Sequence, residues 1–394
     1  MTPSARVQAA IELLDEIVRA AASGGAAADT IIARYFKERR YAGSKDRRAV
    51  RELVYRAVRR AGERPASGRM ALLGLAQDDR DLLPLFDGSP HGPAAVVEGE
   101  PASKASVLPD WLRPKLDPLV GDAELPALLE RAPLDLRVNR LRGTREDALA
   151  ALPGAEPTPL SPIGLRIAEG TQVESLPAWN SGLVEVQDEG SQLLALACEV
   201  QPEALVVDLC AGAGGKTLAL AAEMANSGRL VACDTDRGRL SRMGPRLNRA
   251  GATIVEQRLL NPNRELEALA DLQGMADVVL VDAPCSGSGT WRRNPETRWR
   301  LDEARLARLV ALQARLLDLA AALVKPGGRL VYAVCSLLAE EGRAQADAFA
   351  ARHSSFVSES VPIPGGRAAG TGILLTPGHD GTDGFFVARW QAPC

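Results

Sequence analysis

Two thiols and three carboxylates in the second half of the 394-residue chain stand where side chains are most available for chemistry. Asp208, Asp234 and Asp282 each come at the end of a short apolar run, and Cys335 ends another, GGRLVYAVCS at 327–336. Cys285 follows in the loop after Asp282, within DAPCSGSGT at 282–290. If those runs are parallel strands of an open sheet, their carboxyl ends gather at one rim, which is where such sheets bind ligands. A thiolate there is a nucleophile able to form a covalent intermediate. A single cysteine closing a strand is most often a small hydrophobe. Cys285, flanked by Pro284 and Gly287, has no core to fill, and two thiols at neighbouring strand ends are rarer than either alone.

The element that must position them is LVVDLCAGAGGKTLALAAEMA at 205–225, an apolar strand, a glycine-rich turn and a helix. Gly212, Gly214 and Gly215 allow backbone to pass close to a ligand, and the helix opening near Lys216 presents unpaired N–H groups and a positive dipole end. Asp234, 22 residues after Gly212 and at the end of the next strand, is placed to accept from ribose hydroxyls. The combination suits an adenosine-containing cofactor. It does not suit a phosphate-binding Walker loop, because only Ala213 and Gly214 separate Gly212 from the Gly215–Lys216 pair, where that motif has four residues.

Five short apolar runs, at 205–209, 229–233, 253–256, 277–282 and 329–335, are separated by helical stretches. They predict an α/β fold with a doubly wound, mostly parallel sheet. Segments 356–361 and 384–390 predict a closing antiparallel pair. Upstream, helical periodicity starts at Val7, and further helices are expected at 29–39 and 45–60. The expected division is a helical domain at 1–75, a Pro- and Gly-rich linker at 76–104, a small α+β domain at 105–185 and the sheet domain at 186–394. Net charge is −3, but residues 1–60 carry 13 Lys or Arg against 7 Asp or Glu, a basic module on an acidic body. The stretch 45–60 is its most basic part, and Arg137, Asn139 and Arg140 on a short strand are further candidates for RNA contact. Residues 291–315 hold seven arginines and three acids, with Trp291 and Trp299 interleaved, a composition suited to phosphates and base stacking. The amino terminus does not read as a secretory signal, no apolar run approaches a membrane span, and six cysteines without CxxC pairing give neither a disulfide framework nor a metal site. A cytoplasmic protein with no membrane association is expected.

DLCAGAGGKT at 208–217, VDAPCSGSGT at 281–290, the RRNPE and W that follow, and GGRLVYAVCS at 327–336 resemble the motifs of the RsmB/NOP/Sun family of RNA cytosine-5 methyltransferases; DGFF at 383–386 is similar as well. The front of the chain resembles more loosely the bacterial rRNA members, with a NusB-like helical domain before a small RNA-binding domain. The resemblance implies a Rossmann-like domain using S-adenosylmethionine. It implies that Cys335 adds to carbon 6 of cytosine, that Cys285 serves the release step, and that Asp282 holds the base edge or the cofactor. It further implies cofactor contacts at Cys210, Ala211, Gly212, Ala213, Gly214, Gly215, Lys216, Asp234 and Asp282, and RNA as substrate, rRNA before tRNA; separately, no metal and a monomer are expected. One departure is the absence of an acid in 257–264, where the family has one for the adenine end; Asn261 or Asn263 would have to substitute. Two rival readings are a non-catalytic RNA-binding assembly factor, and a nicotinamide dehydrogenase, which would share the glycine turn and Asp234 but give no reason for the Pro–Cys loop.

Overall fold

The computed structural model describes all 394 residues, which divide into two compact units. The first comprises Met1–Leu116, Leu125–Glu130 and Ser286–Glu303, and the second the remainder.

The first unit is helical: α1 (Pro3–Ser23), α2 (Ala28–Glu38), α3 (Ser44–Arg60) and α4 (Gly68–Asp78). Helix α1 begins where Thr2 Oγ1 accepts from Ala5 N with Pro3 in the first turn, and it stops at Gly24, whose φ of 73° suits a residue without Cβ. Its apolar face, with Val7, Leu14 and Ile17, is buried against Ile31, Val50, Val54 and Leu72. Helix α4 is the one the sequence reading does not delineate, because MALLGLA is apolar all round and shows no stripe. It packs on α1 by way of Gly68, where a Cβ would sit 2.2 Å from Ile11 O.

Asp110–Lys115 is a short 3-10 turn with Pro114 inside it. Pro114 lacks the N–H that a continuing α-helix needs.

In the second unit, β1 (Leu134–Val138), β2 (Glu156–Pro157), β3 (Gly164–Ile167) and β4 (Val184–Val186) form an antiparallel sheet in the order β2-β3-β1-β4, with its own apolar core. The large sheet is built from β5 (Leu205–Asp208), β6 (Arg229–Asp234), β7 (Val255–Leu259), β8 (Ala276–Asp282), β9 (Val324–Val334), β10 (Val357–Glu359), β11 (Arg367–Ala369), β12 (Gly372–Leu375) and β13 (Phe385–Gln391). Its order is β11-β12-β13-β9-β8-β5-β6-β7, with β10 paired to β13. Strands β9, β8, β5, β6 and β7 run parallel, and β13 is antiparallel to β9. This is the doubly wound α/β arrangement. Strand β5 is buried at Val206, Val207 and Asp208, as a strand covered on both faces must be. Because β5 is flanked by β6 on one side and β8 on the other, the order reverses beside it, which puts the crevice at the carboxyl ends of β5 and β8. The β11–β12 hairpin lies outside the sequence expectation, and β7 starts at Val255 rather than at residue 253.

Candidate active site

The turn after β5 is tied down by its neighbours before any ligand is considered. Gly212 N donates to Asp234 Oδ2 at 2.8 Å, Asp236 N donates to Asp234 Oδ1 at 2.7 Å, and Arg246 Nη1 donates to Ala213 O at 2.8 Å. Asp234 is therefore a brace for the turn as well as the expected ribose acceptor. Gly212 and Gly214 have φ of 58° and 86°, in the left-handed region. A Cβ at either would come within 2.6 Å of Arg239 Nη2 or Met243 Cγ. These two glycines thus admit the neighbouring helical segment. Around Gly215 a Cβ would meet nothing within 4 Å, so it is this glycine that borders open space.

Helix Gly215–Glu223 starts here, its first in-helix bond being Leu218 N to Gly214 O at 2.9 Å. The N–H groups before Leu218 are left for something else to satisfy. Beneath the turn, Asp208 is fully buried; Thr217 Oγ1 donates to its Oδ2 at 2.7 Å, while Oδ1 has no partner. Burial, with Asp282 nearby, pushes its carboxyl up to about 7. An open glycine, uncapped helix N–H groups and an orphaned carboxylate oxygen are what a nucleoside-bearing ligand with hydroxyl and ammonium donors would meet, so the residues fit S-adenosylmethionine.

At the next strand end Lys216 Nζ and Asp282 Oδ2 form an ion pair at 2.7 Å, their side chains 10% and 29% exposed. Burial opposes the Lys216 ammonium, but Asp282, helped by the charges of Cys335 and Asp208, outweighs it and holds Lys216 above the ordinary lysine range. Phe385, from the DGFF segment, lies with its ring centre 5.7 Å from Lys216 Nζ.

The expected meeting of thiols is observed: Cys285 Sγ and Cys335 Sγ are 3.3 Å apart, both half-buried and neither in a disulfide. Burial drives the thiols of Cys198, up to about 12, and of Cys210 and Cys233 far above their usual range, which disfavours the thiolate a nucleophile requires. Cys210 can therefore contribute backbone to the turn, not sulfur chemistry. No group of three or more His, Cys, Asp or Glu side chains is arranged to hold a metal ion.

Three expected RNA contacts are placed elsewhere. Arg137 and Asn139 are 1% exposed: Arg137 Nε donates to Gln187 Oε1 at 2.7 Å, and Asn139 Nδ2 donates to Gly182 O and Ala250 O, both at 2.8 Å. Arg140 is exposed but pairs with Glu223 at 3.1 Å. Trp291 and Trp299 are 0% and 2% exposed, so neither ring can stack on a base. Trp299 Nε1 donates to Ala61 O at 2.7 Å, and Arg298 Nη2 donates to Arg59 O at 2.8 Å and Ala61 O at 3.2 Å, all within the helical unit. Basic composition with interleaved tryptophan is indistinguishable, in sequence, from a segment that plugs helix-end carbonyls. Along α3, Arg51, Arg56 and Arg60 are held by Asp29, Asp79 and Asp78, while Lys45, Arg47 and Arg48 are exposed cations. The residues that sequence reasoning missed are Thr217, Arg246 and Phe385; Thr217 and Phe385 carried a signal, as parts of DLCAGAGGKT and DGFF.

Residues 195–391 match the family described as 16S rRNA methyltransferase RsmB/F. Over 301 residues the chain is 35% identical to a protein of Enterobacter sp. (strain 638) named ribosomal RNA small subunit methyltransferase B, covering 75% of this chain and 68% of that protein. The relatives are longer, and the chain spans about two thirds of them, from 64% to 68%. A crystal structure described as that of PH0851 superposes with a TM-score of 0.79 at 25% identity, covering 99% of both chains. That of a methyltransferase homolog protein from Pyrococcus horikoshii gives 0.60 at 27%, covering 68% of this chain and 90% of the other. With half its length matched by the family, and with a relative of this identity and coverage, the chain belongs to the RsmB/F family of methyltransferases.

Proposed function

We propose that this chain methylates carbon 5 of a cytosine in 16S rRNA, through a covalent adduct between RNA and the sulfur of Cys335. The observation that carries the reading is the 3.3 Å approach of Cys285 and Cys335 at the strand ends, beside the Lys216–Asp282 pair. S-adenosylmethionine, held by the backbone from Cys210 to Lys216 with Asp234 and Asp282 beside it, supplies an electrophilic methyl group. Carbon 5 of cytosine is a weak nucleophile. Cys335 Sγ forms a bond to carbon 6, and the electron pair displaced makes carbon 5 nucleophilic enough to be methylated. A base then removes the proton at carbon 5, and the electrons left behind expel the Cys335 thiolate as the S–C6 bond breaks. Cys285 serves this release. The target base must be unpaired or flipped out to reach such a rim.

The helical unit and the sheet of β1 to β4 are assigned to RNA holding, and the domain built on the large sheet to the reaction. The exposed Lys45 and Arg48 support the first of these roles. No helix is long and apolar enough to cross a membrane, and we take the chain to act as a cytoplasmic monomer.

Cys335→Ala should abolish methylation of protein-free 16S rRNA, and Cys285→Ala should leave protein covalently joined to it. Bisulfite mapping of cells lacking the protein should show one 16S cytosine unmethylated. Normal turnover by Cys335→Ala would remove the nucleophile assignment, and a lost signal in tRNA with rRNA unchanged would move the substrate.

A further inference from the structure

Helix Glu303–Ala321 buries Leu306, Leu316, Leu317, Leu319 and Ala320, and among them one polar side chain, Gln313, 0% exposed. Its two amide hydrogens are both used: Nε2 donates to Pro284 O at 2.9 Å and to Glu341 Oε1 at 3.0 Å, while Gln313 Oε1 has no partner. The amide is thus oriented as a double donor, since the reverse placement would set oxygen against two acceptors. Glu341 is likewise 0% exposed, and its other oxygen, Oε2, accepts from Ser336 Oγ at 2.5 Å. Tyr332 Oη fixes the same residue by donating to Glu341 O at 2.7 Å.

A line of three hydrogen bonds therefore runs from the peptide carbonyl immediately before Cys285 to the hydroxyl immediately after Cys335. Buried amides and carboxylates are costly unless fully engaged, and apolar side chains would fill the same space at lower cost. What the polar line adds is a fixed distance between two loops.

We infer that Gln313 and Glu341 are positioning residues, a clamp that sets the approach of Cys285 to Cys335 and so controls release of the RNA adduct. The inference rests on the roles proposed above for the two thiols. Neither residue touches substrate. Both act by holding the chain on either side of the reacting sulfurs, so the step most sensitive to the clamp is the one needing both thiols, breakage of the S–C6 bond. Addition by Cys335 alone, and binding of the donor at the glycine turn, depend on it less.

The test compares the full-length protein with Gln313→Leu, Glu341→Gln and Ser336→Ala, using 16S rRNA in single-turnover methylation, denaturing gels for adduct, and calorimetry with S-adenosylhomocysteine. Gln313→Leu should slow adduct release by about tenfold and accumulate protein–RNA adduct as Cys285→Ala does, with S-adenosylhomocysteine affinity within about twofold of the parent. Glu341→Gln, which keeps an acceptor for Gln313 and a partner for Ser336, should release adduct at the parent rate. Ser336→Ala removes a single atom at the far end of the line and carries the same expectation as Gln313→Leu, so a Gln313→Leu protein that fails to fold leaves the test intact. Parent-like adduct release in Ser336→Ala and in folded Gln313→Leu would overturn the clamp. So would an equal loss of donor affinity, adduct formation and release that Glu341→Gln shares. If Cys285→Ala itself trapped no adduct, the proposed role of Cys285 would fail first, a result distinguishable from failure of the clamp alone.

Discussion

Trp299 offers the clearest decision between a structural and a nucleic-acid role for the basic segment. The side chain is 2% exposed, belongs to the helical core and donates from Nε1 to Ala61 O at 2.7 Å. Trp299→Phe keeps most of the apolar surface but removes the donor. Arg298 Nη2 also reaches Ala61 O, at 3.2 Å, so that carbonyl is not orphaned, and the change should cost about 1–2 kcal/mol. Trp299→Ala opens a cavity the size of an indole in a close-packed interior and should cost about 4 kcal/mol. At a urea slope of about 2 kcal/mol/M, the unfolding midpoint followed by far-ultraviolet circular dichroism should fall by about 2 M for Ala and under about 1 M for Phe. RNA affinity, measured by filter binding well below those midpoints, should change little for Phe. A Trp299→Ala protein with the parent midpoint and at least tenfold weaker RNA binding would refute the reasoning and restore a base-stacking role.

Asp208 carries a pH signature. Burial raises its folded-state carboxyl to about 7, so in the folded protein it keeps a proton that the unfolded chain releases near the usual 3.8. Its contribution is fully present below the unfolded value and is lost as pH rises through about 7. Asp208→Asn, which stays neutral, should therefore gain stability relative to the parent between about pH 4 and about pH 7 and no further above it; a stability difference independent of pH would contradict this. For Lys216 and Asp282, a double-mutant cycle with Lys216→Met and Asp282→Asn should give a coupling of about 1–3 kcal/mol in denaturation, and additivity within about 0.5 kcal/mol would mean the pair is not a unit. Iodoacetamide on the native protein, read by mass spectrometry, should label Cys285, Cys335 and the exposed Cys394 well before Cys198 and Cys233, both 0% exposed. Labelling of the buried pair at equal rates would argue against this arrangement of thiols.

The parallel strands were legible because a strand covered on both faces must be continuously apolar, as LVVD and DVVLVD are. Their carboxyl ends follow from topology, and so Cys285 and Cys335 could be brought together from the sequence alone. The fate of polar residues was not legible. Arg137 and Arg298 read as surface cations, yet each is buried among hydrogen-bond acceptors, and burial pushes them down to about 10 and about 9. Whether an arginine faces a phosphate or a helix-end carbonyl depends on tertiary contacts that no local spacing encodes. The hairpin of β11 and β12 escaped because its strands are only three and four residues long, too short for a period to register. Gln313 and Glu341 were invisible for a related reason: one polar residue in an apolar stripe looks like noise until its partners are known.

The chain enters the helical unit a last time at Ser286, directly after Cys285, and leaves it at Glu303. No single backbone scission can therefore free either unit intact. A fragment begun downstream of Leu116 would keep the Trp299 indole and the Arg298 guanidinium while discarding Val58, Arg59 and Ala61, whose carbonyls receive them. Anyone seeking a minimal catalytic fragment would have to rewrite the stretch Ser286–Glu303, for instance by replacing Trp299 and Arg298 with polar, water-tolerant side chains, rather than merely trim an end.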